Sequence, residues 1–230
     1  MHSGIKKIFS EISDTYELVN HVLTLGMDIM WRRKASALAA QAGGTRWIDL
    51  CSGTGETAAN LQRLAGKGTQ VIAADFSPQM LGEARKKPEA QHIDFVITDV
   101  SELPFPDDSF DLATISFATR NINTSRDKLI QRFSEINRIL KPGGRFVNVE
   151  TSQPSSRLIK AGVHLYVKTV VAPLGQAISG TRAGYDYLSH TIPRFYGAEE
   201  LAEILSQAGF SDVSFKRLMF GVGAIHVSVK

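Results

Sequence analysis

The chain of 230 residues has a single cysteine, Cys51. That excludes an internal disulfide and any multi-cysteine metal site, and it suits a reducing compartment; no metal is expected. Long apolar runs are also missing. None approaches the roughly 18–20 residues needed to span a bilayer, and Met1 to Ile12 contain no continuous apolar stretch of the kind a secretory signal requires. Nor is there a strong charge of one sign: 26 Lys and Arg against 23 Asp and Glu leave a net +3, too little to point to nucleic acid. Repeats and low-complexity tracts are absent. A cytoplasmic protein is expected, with contact to a membrane surface left open. What is present is ordinary globular material, 43% hydrophobic and 21% charged, long enough for one large domain with a full core.

Apolar residues at three- and four-residue spacing, Ile5, Ile8, Phe9, Ile12, Tyr16 and Val19, predict an amphipathic helix. A second helix follows Gly26, carries the cluster Trp31-Arg32-Arg33-Lys34, and ends near Gln41 before Gly43-Gly44. From Arg46 short apolar runs alternate with helical stretches. Strands are expected at Trp47–Leu50, Val71–Asp75, Phe95–Ile97, Phe110–Phe117 and Arg145–Glu150. Helices are expected at Thr57–Leu64, from Pro78 to about Lys87, and at Arg126–Leu140, the last stopped by Pro142-Gly143-Gly144. This βαβ rhythm implies a mostly parallel sheet with helices on both faces. Residues 155–192 interrupt it, with Leu158, Ile159, Gly162, Val163, Tyr166, Val167 and Val170 on one helical face. A helix at Ala198–Gln207 and a hairpin of Val213–Leu218 with Ala224–Val229 close the chain. The N-terminal helices and the 155–192 insertion are expected to cover the carboxyl edge of the sheet, where open α/β sheets bind ligands.

The main motif is Asp49-Leu50-Cys51-Ser52-Gly53-Thr54-Gly55-Glu56. Gly53 to Ala58 satisfies the dinucleotide pattern G-x-G-x-x-G/A, and Asp75 lies twenty-two positions past Gly53, where a ribose-binding acid belongs. Alone, that also fits a nicotinamide enzyme. The flanking acids Asp49 and Glu56 argue against an anionic pyrophosphate. They favour S-adenosylmethionine, whose ammonium and sulfonium carry positive charge. The glycines let the backbone approach such a ligand closely, and Asp75 would accept hydrogen bonds from its ribose hydroxyls. If the turn did nothing more, it would still serve as a tight strand-to-helix connection.

Four separated stretches resemble the class I methyltransferases: Asp49–Gly55, Ala74-Asp75-Phe76-Ser77-Pro78-Gln79-Met80-Leu81, Leu103–Asp111, and Leu140-Lys141-Pro142-Gly143-Gly144. Over nearly the whole chain the sequence is similar to the C-methyltransferases of menaquinone and ubiquinone biosynthesis. The similarity is carried by Ile8-Phe9, Tyr16–Asn20, Leu25–Asp28, Trp31-Arg32-Arg33, Ser116–Asn121, Tyr185-Asp186-Tyr187-Leu188 and Gly221–His226. The resemblance implies a Rossmann-like α/β fold with a mostly parallel seven-stranded sheet and an N-terminal helical cover. It implies one domain, 1–230, made of the cover (1–44), a cofactor-binding core (45–151), a helical insertion over the acceptor site (152–195), and a C-terminal helix and hairpin (196–230). It implies S-adenosylmethionine bound by Asp49, Gly53, Thr54, Gly55, Asp75, Phe76, Met80, Asp99, Val100 and Ser116, with Asp99 and Val100 around the adenine. Asp99 also reads as a cap or turn residue. Where the family has Gly-Leu before Arg-Asn, this chain has Ala118-Thr119, expected to line the acceptor pocket.

The implied partner is a lipophilic aromatic small molecule, a hydroquinone such as demethylmenaquinol, with no nucleic acid. Peripheral membrane contact and a homodimer are compatible with this reading. Ring carbons are poor nucleophiles, and a phenol ionises near pH 10 (about the Tyr value), so the site must stabilise a phenolate. Arg120 is the first catalytic candidate, as an always-charged oxyanion stabiliser or water holder, with Asn121 orienting a partner. Arg120 also reads as one half of a structural ion pair. Tyr16, Asp28, His164 and His190 are weaker candidates, read first as structural. The Leu158–Val170 face would line a tail channel, lie on a membrane, or simply pack. Arg32-Arg33-Lys34 would meet headgroups or form a solvated face. Three other functions stay open: a methyltransferase for another aromatic acceptor such as a phenazine, a nicotinamide-dependent oxidoreductase, and a non-catalytic methyltransferase-like subunit.

Overall fold

A computed structural model describes residues 16–171, 173–174, 177 and 189–230. The stripe from Ile5 to Ile12 and the Tyr185–Leu188 motif therefore lie outside the described residues. Two N-terminal helices, α1 (Tyr16–Leu23) and α2 (Met27–Ala40), precede the alternating part. That part runs β1 (Arg46–Leu50), α3 (Glu56–Leu64), β2 (Gln70–Asp75), α4 (Pro78–Ala84), β3 (Ile93–Ile97), β4 (Phe110–Ser116), the short α5 (Thr119–Ile122), α6 (Arg126–Ile139) and β5 (Leu140–Thr151). Helix α7 (Arg157–Tyr166) continues into a wider turn over Val167–Val171, and α8 (Ala198–Gln207), β6 (Ser211–Leu218) and β7 (Gly223–Val229) follow. The strands form one seven-stranded sheet in the order β3-β2-β1-β4-β5-β7-β6. β1 to β5 pair in parallel; β7 pairs antiparallel with both β5 and β6. This is the expected Rossmann-like arrangement with its closing hairpin.

Side chains alternate across the strands, so each face builds its own core. On one face Ile48, Leu50, Phe110 and Phe146 pack with Phe133 and Ile136 of α6 and with Leu201 and Leu205 of α8. On the other, Trp47, Val71, Leu112 and Ile225 pack with Trp31 and Ala35 of α2 and with Leu61 of α3. The α2 contact is unusually close. A Cβ on Gly223 of β7 would come 2.7 Å from the Trp31 indole. Trp31 also stacks on Phe117, with ring centroids 6.3 Å apart. A smaller cluster of Val19, Leu23, Val167 and Val171 joins α1 to the turn after α7.

Two element boundaries differ from the sequence reading by three residues or more. The helix expected to reach Lys87 stops at Ala84, after a start capped by Ser77, whose hydroxyl accepts from Met80 N–H at 3.3 Å. Pro88 disfavours helical backbone in the residue before it; Lys87 is extended, and Pro88–His92 makes a separate 3₁₀ turn. The fifth strand begins at Leu140 rather than Arg145. Phe110 pairs with Leu140 before the register shifts, and this irregularity takes up Pro142-Gly143-Gly144.

Candidate active site

The strand order reverses between β1 and β4, which opens a crevice at their carboxyl ends. The glycine turn fills this crevice. Cys51 and Gly53 hold positive φ, 51° and 56°. Gly55, at φ 79°, precedes α3, and a Cβ there would meet the Ala84 Cβ at 2.8 Å. Only glycine combines that backbone with so close an approach of α4.

Asp75 ties the turn to β2. Its Oδ2 accepts from Gly53 N–H at 2.9 Å and its Oδ1 from Ser77 N–H at 2.8 Å. Burial pushes its pKa up, and these backbone donors counter that push. A carboxylate held this way has lone pairs left for a diol. Asp49 lies beneath the turn rather than in the cleft. It accepts from Thr114 Oγ1–H and Ser52 Oγ–H, each at 2.7 Å, and burial pushes its pKa up to about 6. It thereby fastens Ser52 of the turn to Thr114 of β4.

Of the residues named for the cofactor, Gly53, Thr54, Asp75, Phe76, Met80 and Ser116 line the cleft, together with Arg32, Cys51, Ser52, Glu56, Ala118, Asn121 and Ile122. The Oδ1 of Asn121 is buried without a hydrogen bond. Gly55 shapes the turn but does not line the cleft. Val100 packs into the core at 4% exposure. Asp99 accepts from the backbone N–H and the hydroxyl of Ser101 at 3.0 and 2.8 Å, the bonds of a turn residue. Of Ala118 and Thr119, only Ala118 reaches the cleft; Thr119 is fully buried and donates to Asn148 Oδ1 at 2.7 Å.

A charge cluster joins the N-terminal helices to this site. The Nδ1 of His21 is 2.9 Å from Asp28 Oδ2, and its Nε2 is 3.3 Å from Glu56 Oε1. The Nε of Arg32 lies 3.2 Å from Glu56 Oε2 and 4.0 Å from Asp28 Oδ2. Burial raises the Glu56 pKa while Arg32 pulls it down. Glu17, His21 and Glu56 bring potential metal-ligand atoms within 4.8 Å of one another. Lys87 pairs with Glu17 at 2.7 Å, so the charge of this group is met by side chains. The expected basic surface patch is thus corrected. Arg32 is buried, with its guanidinium 4.7 Å from the centre of the Phe117 ring, and only Arg33 and Lys34 face solvent.

Beyond Arg32 the cleft adjoins a second cavity of about 340 Å³, walled mainly by Leu23, Met27, Trp31, Phe117, Val163, Val167, Val171 and Val222. Arg32 lines both spaces. Arg120 reaches this cavity. Its Nη1 donates to Glu150 Oε1 at 3.2 Å and Thr151 Oγ1 at 3.0 Å, while its buried Nε has no partner. The structural ion pair therefore exists and still leaves a donor free. Asn121, expected beside Arg120, turns instead to the cleft. Of the weaker candidates, Asp28 lines the cavity, His164 contacts Gln153 at 3.0 Å, and His190 is exposed; the Tyr16 side chain lies outside the described residues. The cavity is drawn from residues 20 to 222, a spread with no local sequence signal.

Residues 2–230 match the model of the ubiE/COQ5 methyltransferase family. The chain is 40% identical over 222 residues to a demethylmenaquinone methyltransferase of Thermus thermophilus, covering 96% of this chain and 98% of the relative. It is 38% identical over 227 residues to a ubiquinone/menaquinone biosynthesis C-methyltransferase of Desulfotalea psychrophila, covering 99% and 90%. Among solved structures, an S-adenosylmethionine-dependent methyltransferase of Thermotoga maritima superposes with TM-score 0.62 at 17% identity, over 94% of this chain and 98% of that one. One from Aquifex aeolicus gives 0.58 at 16%, over 85% and 88%. At such identities the structures speak to the fold.

Proposed function

The chain belongs to the ubiE/COQ5 methyltransferase family, and on that premise we propose that it transfers a methyl group from S-adenosylmethionine to a ring carbon of a tailed hydroquinone, demethylmenaquinol or a close relative, in respiratory quinone biosynthesis. The observation that carries this is the apolar 340 Å³ cavity adjoining the cofactor cleft, with the Arg120 side chain in its wall. Its volume falls within the range of small-molecule sites, about 300–1,000 Å³.

S-adenosylmethionine supplies an activated methyl on a sulfonium. The cleft's side chains suit it. Asp75 offers acceptors to a ribose, and Glu56 a carboxylate to a cation. Asn121 lines the same cleft. In the neighbouring cavity Phe117 and Trp31 form an aromatic wall on which a ring can stack. Arg120, held by Glu150, stabilises the oxygen of the ionised ring.

Peripheral contact with a membrane is part of this proposal. Leu25 and Met219 at the cavity are 83% and 50% exposed, and Leu158 and Phe220 are 86% and 80% exposed. Between residues 152 and 185 the sequence has Arg and Lys but no Asp or Glu, which suits anionic headgroups. No described helix is long and apolar enough to cross a membrane.

The test is incubation of the purified protein with S-adenosylmethionine and chemically reduced demethylmenaquinone, read by mass spectrometry. Product carrying one added methyl on the ring supports the proposal. Cofactor binding without methylation of any hydroquinone overturns it.

A further inference from the structure

We propose that Asp28 is the proton acceptor for the ring hydroxyl of the acceptor, oriented by His21; this rests on the hydroquinone reading above. Among the described residues lining the apolar cavity, Asp28 is the only Asp, Glu or His. It is 2% exposed, and it lies beside Arg32, which borders both the cavity and the cofactor cleft. A base is needed at this junction, where the hydroxyl must ionise next to the methyl donor.

The competing groups are engaged elsewhere. Arg120 is permanently protonated and cannot take a proton. Glu150 accepts from Arg120 N–H and Nη1 and from Thr151 N–H and Oγ1, and it does not line the cavity. Glu56 faces the cofactor cleft between Arg32 and His21.

Asp28 is equipped for both protonation states. The Oγ1 of Thr24 lies 2.6 Å from Asp28 Oδ1 and 2.8 Å from Asn20 O, yet it carries one hydrogen. When Asp28 is ionised, that hydrogen points to the carboxylate. When Asp28 is protonated, the acid donates to Thr24 Oγ1 and the hydroxyl turns to Asn20 O. No heavy atom moves. His21, partly exposed, holds the other carboxylate oxygen at 2.9 Å. The charges facing this pair are Arg32 on α2, Glu56 on α3, Glu17 on α1 with its partner Lys87, and Arg120 across the cavity.

Asp28 takes the hydroxyl proton, and the freed pair on oxygen is delocalised to the ortho carbon. That carbon forms the new C–C bond while the sulfur–methyl bond breaks, its electrons staying on sulfur. The ring hydrogen at that carbon leaves to water as the ring regains aromaticity, and Asp28 returns its proton to the ring oxygen. One proton is released per turnover.

The experiment measures kcat on a series of reduced quinones with ring hydroxyls of graded acidity, for wild type, Asp28→Asn and Asp28→Glu. Cofactor affinity is taken by calorimetry as the check on an intact site. The expectation is a loss of about 10²-fold or more in kcat for Asp28→Asn, shrinking steadily as the acceptor becomes more acidic, with partial recovery in Asp28→Glu and unchanged cofactor affinity. A loss of equal size across the series, or none, overturns the assignment. Absence of product from wild type refutes the hydroquinone reading itself, and this assignment with it.

Discussion

Replacing Asp49 by Asn removes a buried charge without changing the shape of the side chain. The fold raises the carboxyl from an ordinary value of 3.8 to about 6, burial being the largest cause and the hydroxyls of Thr114 and Ser52 opposing it. A carboxyl whose pKa is higher in the folded state disfavours folding once it ionises. Its contribution to stability is fully present below about pH 4 and is lost as pH rises through about 6. The gap from 3.8 to about 6, at about 1.36 kcal/mol per pH unit, makes a penalty of about 3 kcal/mol at neutral pH. An amide cannot ionise, and either hydroxyl can turn to accept from it. Asp49→Asn should therefore gain stability over wild type between about pH 4 and 6, approaching about 3 kcal/mol minus the difference in hydrogen-bond strength, and hold a constant gain above that. The assay is urea unfolding followed by Trp31 and Trp47 fluorescence at intervals from about pH 4.5 to 7.5. Carboxyls with lowered pKa, such as Asp111 and Glu135, slope the opposite way but are common to both proteins and cancel in the difference. Parallel curves for the two proteins would refute the reasoning.

Gly55→Ala forces a Cβ into 2.8 Å contact at φ 79°; it should cost about 1–3 kcal/mol in urea midpoint terms and weaken cofactor binding. Asp75→Asn puts an amide nitrogen against one of two backbone donors, so calorimetry should show cofactor affinity falling at least about tenfold, for the loss of an interaction worth about 1–3 kcal/mol. Arg120→Ala should lower kcat about 10²–10³-fold with cofactor affinity unchanged. It should also destabilise the protein by about 3–5 kcal/mol, since Glu150, 1% exposed, loses its ion-pair partner. Unchanged kcat would remove Arg120 from the chemistry.

Features built from adjacent residues were legible in the sequence. The strand Trp47–Leu50, the glycine turn and the acid ending β2 occupy the places their local patterns imply. Features made by distant pairs were not. Arg32-Arg33-Lys34 looks like a solvated patch, yet the helical repeat turns Arg32 inward with Trp31, Ala35 and Ser36 and leaves Arg33 and Lys34 outside. Nothing local announces that Glu56 awaits it on another helix. The partner of Arg120 was closer to reach: Glu150 is the last residue but one of β5, and β4 pairs with β5 up to Ser116 and Val149. The placement of Val100 near an adenine came from family likeness alone, and a small apolar side chain after a strand is equally suited to the core that it joins here.

The contact between Gly223 and Trp31 gives the last strand a say in what the first helices enclose. Trp31 is a wall of the apolar cavity, and its indole rests on a backbone with no side chain in the way. Any side chain at 223 would force the indole, and with it this wall of the cavity, to shift. Discrimination between one-ring and two-ring acceptors can thus be retuned during evolution from a residue that touches no ligand, with every group that handles the methyl donor left in place.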